Sequence, residues 1–316
     1  MTAASFTPKG PFSLASSIQF LEGFTPASYD QAADGVLRMA FPTDDGAGVI
    51  GCAVRQGRGA GGRPGTVTAD FTVHTDAGDP LPTVAATAEG KAARTQIARI
   101  LSLDVDGTGF PALGASDPVV AGLQADYPGL RPVCFYSPYE AAAWTIIGNR
   151  IRKTQAAAVK ARIARAHGQA LDVAGHTLHA FPTPHALRRL DHFAGLTDLK
   201  VERLHALADA ALDGRLDATA LRAQSAEFAL TDLRELPGIG PFSAELILIR
   251  GAGHSDVFPV AEPRVHQAIT AEYGLAPATA GEPARLAQIA EAWRPYRSWV
   301  CLLLRARAQD QAATGA

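Results

Sequence analysis

The chain has 316 residues, 47% of them apolar and 19% charged, with a formal net charge of −2, totals that fit an ordinary globular protein large enough for two cores. No stretch approaches the roughly 20 uninterrupted apolar residues of a membrane-spanning helix, which excludes a helical membrane protein. Cys52, Cys134 and Cys301 are odd in number and widely scattered, which excludes a disulfide framework and a CxxC-type metal site; they read as buried thiols.

The N-terminal MTAASFTPKGPFSLASS lacks the basic start and apolar block of a secretory leader, so the expected location is cytoplasmic, in contact with the nucleoid if the partner is DNA. Three β-like runs follow: GVLRMAF (35–41), GVIGCAV (48–54) and the alternating TVTADFTVHT (66–75). The Gly- and Arg-rich RQGRGAGGRPG (55–65) lacks the order of a phosphate loop and lies between two strand-like runs, so it reads as a mobile hairpin connection. AEGKAARTQIARILSL (88–103) has helical texture, giving an α+β pattern of strands with a helix packed on them. After PGLRPV (128–133) the texture turns to Ala- and Leu-rich segments of helical length, which sets two expected domains: an α+β domain over 1–130 and an all-α domain over 131–316. Charge divides along the same line. Residues 1–130 carry 8 basic against 13 acidic side chains, and residues 131–316 carry 21 against 18, so a nucleic-acid partner would meet the second part.

Within that second part the expected helices are 138–167, 184–193, 197–213, 217–224, 229–235, 241–251, 262–274, 284–292 and 295–310, joined by turns with Gly, Pro or Asp. No fixed period recurs, which argues against a solenoid. His176 and His179 in GHTLH, expected in a loop, have no further ligands nearby to complete a zinc site.

LPGIGPFSAELILIRG (236–251) poses the sharpest question. A helix ending near Leu236 is stopped by Pro237, and Gly238 and Gly240 permit a tight reversal into the next helix. Both glycines leave their amides uncovered, so a phosphate could sit against them at the positive end of that helix, read without regard to base sequence. An isolated PGxG is equally an ordinary turn between helices.

The order of neighbouring segments resembles a family. LPGIGPFSAELILIRG followed by DVFPVAEPRVHQAI is similar to the helix-hairpin-helix DNA glycosylases, whose signature is this hairpin, a loop of some ten residues, then DxxPxxD opening a helix. PYEAAAWTIIGNRI (138–151), FPTPHALRRL (181–190), KVERLHALADAALDGRLD (200–217) and WRPYRSWVCLLL (293–304) resemble, in order, segments of the bacterial 3-methyladenine DNA glycosylase II branch, with PGLRP a further match at the junction. The resemblance covers about 131–310 and implies excision of alkylated bases from double-stranded DNA by base flipping. It implies a monomer, no required cofactor, and a structural Na+ or K+ on the backbone carbonyls of Arg234, Leu236 and Ile239. Relatives that also cut the strand carry a lysine two residues after the second hairpin glycine. Here that residue is Phe242, so no lyase activity is expected, and the ring is apt to line a base pocket or to sit in a core.

Three departures bear on the chemistry. The catalytic Asp ending DxxPxxD is here Glu262, whose extra methylene displaces the carboxylate by about 1 Å. That leaves open activity with shifted geometry, activity tuned to a bulkier adduct, or lesion binding without excision. Asp256 reads as a structural partner in the same loop, and Glu245 as a helix residue facing either the pocket or, by preference, solvent. In IIGNRIRK, Asn149 and Arg150 stand where the family has a glutamine and an apolar wedge; Arg150 would fill the gap left by a flipped base, and Arg152 and Lys153 complete a basic patch. Arg305 stands about where the family has a tryptophan, and would favour a neutral or acidic base over a cationic one, pair with Glu262, or point outward. Trp144, Tyr136, Tyr139 and Trp299 are the aromatic candidates near the pocket.

Overall fold

The structure, a computed structural model, describes residues 2–23, 34–59, 64–81 and 87–314. Strand β1 (Thr2–Phe6) and helix α1 (Leu14–Glu22) precede β2 (Leu37–Pro42), β3 (Gly48–Arg58) and β4 (Pro64–Thr75), and α2 (Ala88–Ile100) follows. The strands form one antiparallel sheet in the order β1-β4-β3-β2. Alternation decides its two faces: Leu37, Met39, Phe41, Ile50, Cys52 and Val54 point toward α1 and α2, while Val36, Ala40, Val49 and Ala53 point the other way. Residues 60–63 of the Gly-rich connection lie outside the described residues, but β3 and β4 are consecutive antiparallel neighbours, as a hairpin requires.

Helices α3 (Phe110–Ser116), α4 (Pro118–Asp126), α5 (Pro138–Gly148) and α6 (Lys153–His167) come next. A short hairpin of β5 (Ala170–Val173) and β6 (His176–His179) then packs Leu171 and Val173 on the second face of the large sheet. The expected loop at GHTLH is thus a strand, and His176 and His179, three positions apart on it, project to opposite faces and cannot converge on one ion. After α7 (Pro184–Leu187) come α8 (Asp198–Leu212), α9 (Ala218–Ala223), α10 (Ala226–Arg234) and α11 (Pro241–Leu246), which runs into a π-helical turn at Ile247–Gly251, then α12 (Pro263–Glu272), α13 (Pro283–Ala290) and α14 (Arg297–Thr314). The expected helix 138–167 is two helices, because Gly148 and Asn149 break it, and 184–193 shrinks to four residues. Among the described residues no helix is long and apolar enough to cross a membrane.

Two helical cores result. One gathers Trp144, Ile147, Ile163, Leu204, Leu233, Ile247 and Leu248 from α5 to the π turn. The other joins Phe110, Val120 and Leu123 of α3 and α4 to Ile269, Leu286, Trp293, Trp299 and Leu303 from the end of the chain, with the Phe110 ring edge-on to Tyr296 and Trp299 at centroid distances of 5.4 and 5.2 Å. Full burial of each such side chain contributes about 2 kcal/mol before the cost of ordering it.

Buried arginines tie the layers. Arg131, in the PGLRP segment, donates to the carbonyls of Lys9, Pro11, Ser102 and Val105 and lies over the Trp299 ring, 5.1 Å from its centroid. Arg99 of α2 reaches Asp44 at 2.7 Å, and the carbonyls of Tyr136 and Gly251, so the sheet domain holds the end of the π turn directly. Gly251 is a close-approach position: a Cβ there would lie 2.8 Å from Pro138 Cα.

Candidate functional site

Between the two helical cores runs a cleft of ≈2060 Å³, walled by α5 and α11 on one side and α12 and α14 on the other. Glu262 lies in it as the N-cap of α12, half-buried, with its carboxylate accepting the Arg264 N–H at 3.2 Å. The loop that delivers Glu262 is fixed at four successive points. Asp256 is held by Arg297 at 2.7 Å and Arg294 at 2.8 Å. The Ser298 hydroxyl accepts the Val257 N–H at 3.0 Å and donates to the Val257 carbonyl at 2.9 Å. The Pro259 carbonyl is bonded to His266 Nε2 at 2.9 Å, and the Ala261 N–H donates to both oxygens of Glu245 at 3.0 and 2.9 Å. Pinning of this kind is what holds a reacting group to the fraction of an ångström that chemistry demands.

Asp256 thus has the structural part expected of it, in a network that continues from Arg297 and Arg294 to Glu291. Arg297 is only 13% exposed, so removing the charge of its partner leaves a largely desolvated guanidinium poorly matched. Asp256→Asn is expected to lower stability by about 2 kcal/mol, read as a lower urea midpoint with an unchanged slope.

Of the two faces open to Glu245 in the sequence, the structure selects the cleft over the preferred solvent. Glu245 is 7% exposed and faces the cleft, not solvent, because α11 and the π turn bury Ala244, Ile247 and Leu248 around it. Burial pushes its carboxyl up to about 7, against the lowering effect of the Ala261 and Val260 amides; the charge of Glu262 adds to the rise. A carboxyl raised in the folded state binds its proton more readily there than in the unfolded chain. Its stabilising contribution is therefore full below the ordinary carboxylate range and is lost as pH rises toward 7 and beyond. Glu245→Gln keeps an acceptor for Ala261. It is expected to match the wild type at pH 5 and to be more stable by about 1 kcal/mol at pH 8, as thermal melts across that range would reveal.

The other expected site residues divide. Trp144, Asn149, Arg152, Lys153, Phe242 and Arg305 line the cleft with Glu262. Phe242 is 44% exposed at the start of α11, whereas Trp144 is buried with one side toward the cleft. Tyr136 is not in the cleft: its ring packs on Phe41 at 4.9 Å between centroids, in the sheet-side core, and its neighbour Phe135 takes the cleft position instead. Tyr139 is buried against Phe181, and Trp299 is buried in the far core. Arg264, which the sequence reading passed over, lines the cleft beside Glu262. Its signal was its place, two residues after the motif carboxylate.

Arg150 is exposed at the turn between α5 and α6 with φ of 58°, a left-handed conformation that side chains other than glycine rarely adopt. Asn149 before it is extended, and the Ile151 N–H closes the turn on Gly148 at 3.3 Å. At the hairpin, Pro237 and Gly238 occupy the middle of a turn closed by the Ile239 N–H on the Leu236 carbonyl at 3.0 Å. Gly238 has φ of 88°, which favours glycine, and a Cβ on it would displace the flexible Arg203 side chain, whose Cδ would lie 2.7 Å away. A Cβ on Gly240 would meet nothing within 4 Å. Among the described residues the amides of Gly238 and Gly240 have no acceptor. The Arg234 side chain folds back on its own helix, to the Leu230 carbonyl at 3.1 Å.

Comparison with known proteins bears on this arrangement. No family model matches the chain. Its sequence is 32% identical over 184 residues to DNA-3-methyladenine glycosylase 2 of Escherichia coli, covering 57% of this chain and 61% of the relative. A DNA-3-methyladenine glycosylase of Bacillus subtilis is 26% identical over 163 residues, covering 50% and 54%. The chain thus spans less than two thirds of the length of these relatives. In structure it superimposes on the 3-methyladenine DNA-glycosylase of Archaeoglobus fulgidus with a TM-score of 0.72 over 97% of this chain and 98% of the other, at 20% identity. The chain is thus similar in sequence to DNA-3-methyladenine glycosylases and shares the fold of the helix-hairpin-helix glycosylases. The same glycosylase fold, an α+β domain followed by an all-α one, recurs in an 8-oxoguanine glycosylase/lyase of Clostridium acetobutylicum solved with double-stranded DNA, with a TM-score of 0.56 at 16% identity. Within that fold this chain carries the hairpin turn at 236–239 and the cleft that holds Glu262.

Proposed function

We propose that the protein is a monofunctional DNA glycosylase that flips a damaged, alkylated base out of duplex DNA into the cleft and hydrolyses its N-glycosidic bond. The observation that carries this reading is Glu262 held in the cleft by a loop fixed at four points. The free amides of Gly238 and Gly240 at the hairpin support it, since they offer a phosphate two donors without reading sequence.

The residues divide the work as follows. Glu262 stabilises the oxocarbenium-like sugar as the C1′–N bond breaks and its electron pair leaves with the base, and it takes a proton from the water whose oxygen bonds to C1′. Phe242 and Trp144 give the displaced base apolar surface, Arg150 occupies the space the base vacates, and Asn149, Arg152 and Lys153 meet the backbone beside it. Phe242 at the lyase-lysine position leaves no amine there for a Schiff base, so the product is an intact strand with an abasic site. A monovalent cation on the carbonyls of Arg234, Leu236 and Ile239 would brace the hairpin; no step of the reaction passes through it. The enzyme acts as a monomer.

A second reading has its own support. Because the Glu262 carboxylate already caps the Arg264 N–H, a protein that recognises lesions without excising them is the alternative. Both readings require binding that weakens steeply with salt, and only the first yields free base. Incubation with alkylated duplex DNA, followed by chromatography of released bases and alkaline cleavage of the strand, separates them. Binding without release would overturn the enzymatic reading, and no salt-dependent binding would overturn both.

A further inference from the structure

We propose, resting on the glycosylase reading above, that the cleft selects an uncharged damaged base over a positively charged one, and that Arg305 is the residue that sets this choice. Arg152, Lys153, Arg264 and Arg305 all line the cleft that holds Glu262. Among the described residues none of these four side chains has an ion-pair partner or a hydrogen bond. The remaining arginines there are committed to the fold: Arg307 is shared between Asp126 and Glu272, and Arg250 is bound to the Val133 carbonyl. Of the carboxylates that line the cleft, Asp126 and Glu272 pair with Arg307, Asp310 accepts the Tyr127 hydroxyl, and burial raises Glu245; with Arg152 and Lys153 turned to the DNA backbone, Arg264 and Arg305 are the unpaired cations left beside Glu262.

Arg305 matters most because of where it is and what it cannot do. It is half-buried, one turn along α14 from Cys301 and Leu302, which also line the cleft. A guanidinium does not give up its proton under any condition the fold survives, so a base seated in the cleft meets a fixed positive charge. Arg264 adds to that charge: burial, and then Arg264, lower the readiness of Arg305 to hold its proton, against the opposing effect of Glu262. A base that carries a ring cation is repelled there, while an uncharged base is not.

The same charge assists the chemistry of the uncharged substrate. A cationic base leaves as a neutral molecule and asks little of the enzyme beyond the carboxylate. An uncharged base takes the C1′–N electron pair and departs as an anion, which Arg305 can meet with two parallel donors. The proton that water gives to Glu262 is the one the base anion finally acquires, so the balance closes on a neutral base and an abasic site.

The test uses two duplexes of one sequence, one holding an etheno-bridged adenine, which is uncharged, and the other a ring-methylated guanine bearing a positive charge. Affinity and single-turnover release are measured for both with the wild type, Arg305→Gln and Arg305→Lys, each variant first checked by thermal melting. The wild type should favour the uncharged lesion. Arg305→Gln should shift that preference by on the order of tenfold toward the cationic lesion, and Arg305→Lys should retain it. Parallel losses on both duplexes, with a shallower salt dependence, would mean that Arg305 reads phosphate and would overturn the proposal. Wild-type preference for the cationic lesion would also overturn it, leaving the glycosylase reading intact. If neither base is released, the affinities decide: a preference that Arg305→Gln erases upholds the selection and removes only the excision step, and equal affinities overturn the selection.

Discussion

Glu262→Gln is expected to reduce base release by at least about 10²-fold while leaving affinity for damaged duplex within a few-fold of the wild type. The amide keeps the shape of the side chain and an oxygen able to accept the Arg264 N–H, so the start of α12 and the cleft wall stay as they are. What it loses is the negative charge that the developing oxocarbenium and the attacking water both need. Glu262→Asp restores the charge on a shorter arm and is expected to release base measurably where the glutamine variant does not. Single-turnover release on one alkylated duplex, with melting curves to confirm folding, is sufficient. Equal rates for wild type and Glu262→Gln would remove the residue from the reaction. With Glu245 buried a short distance behind, attention would then pass to that carboxyl.

Arg150→Gly is expected to move stability and activity in opposite directions. With φ of 58°, Arg150 sits in a conformation that costs an L-residue about 1 kcal/mol and glycine almost nothing, so the variant should melt higher or unfold at more urea. It should also lose roughly tenfold or more in base release, because nothing then fills the gap in the stack and the base returns to it. A side chain kept at a strained turn beside a cleft, with Asn149 lining that cleft, is the pattern of a residue retained for contact and not for folding. Unchanged release alongside higher stability would assign Arg150 to the surface.

The sequence exposed the parts of this fold that local rules decide. Alternation in TVTADFTVHT gave β4 nearly whole, and the Pro and Gly residues of LPGIGP gave the hairpin turn to the residue. It concealed what depends on a distant neighbour. Glu245 looks solvated in a short helix until the loop at Ala261 closes on it, and that contact spans 16 positions. Tyr136 and Phe135 are adjacent and both aromatic; only the sheet that meets Tyr136 and the cleft that meets Phe135 distinguish them. The β5–β6 hairpin was missed because its strands are four residues long, too short for a period to register. Continuous Ala-rich texture hid the break at Gly148 and Asn149 in the same way, although both residues are ready helix breakers.

The core that unites α3 and α4 with the last helices has a consequence for the order in which the protein can be made. Phe110, Val120 and Leu123 are synthesised early, but the surfaces that cover them, Ile269, Trp293 and Trp299, follow only after the whole of the other helical core. On the ribosome those early side chains stay uncovered through the making of everything between, which is the interval in which a nascent chain is open to misassociation. The wall of the cleft formed by α14 emerges only after the sheet and the hairpin are both made. A partly made chain can hold a folded sheet and even a formed hairpin, yet it has no cleft.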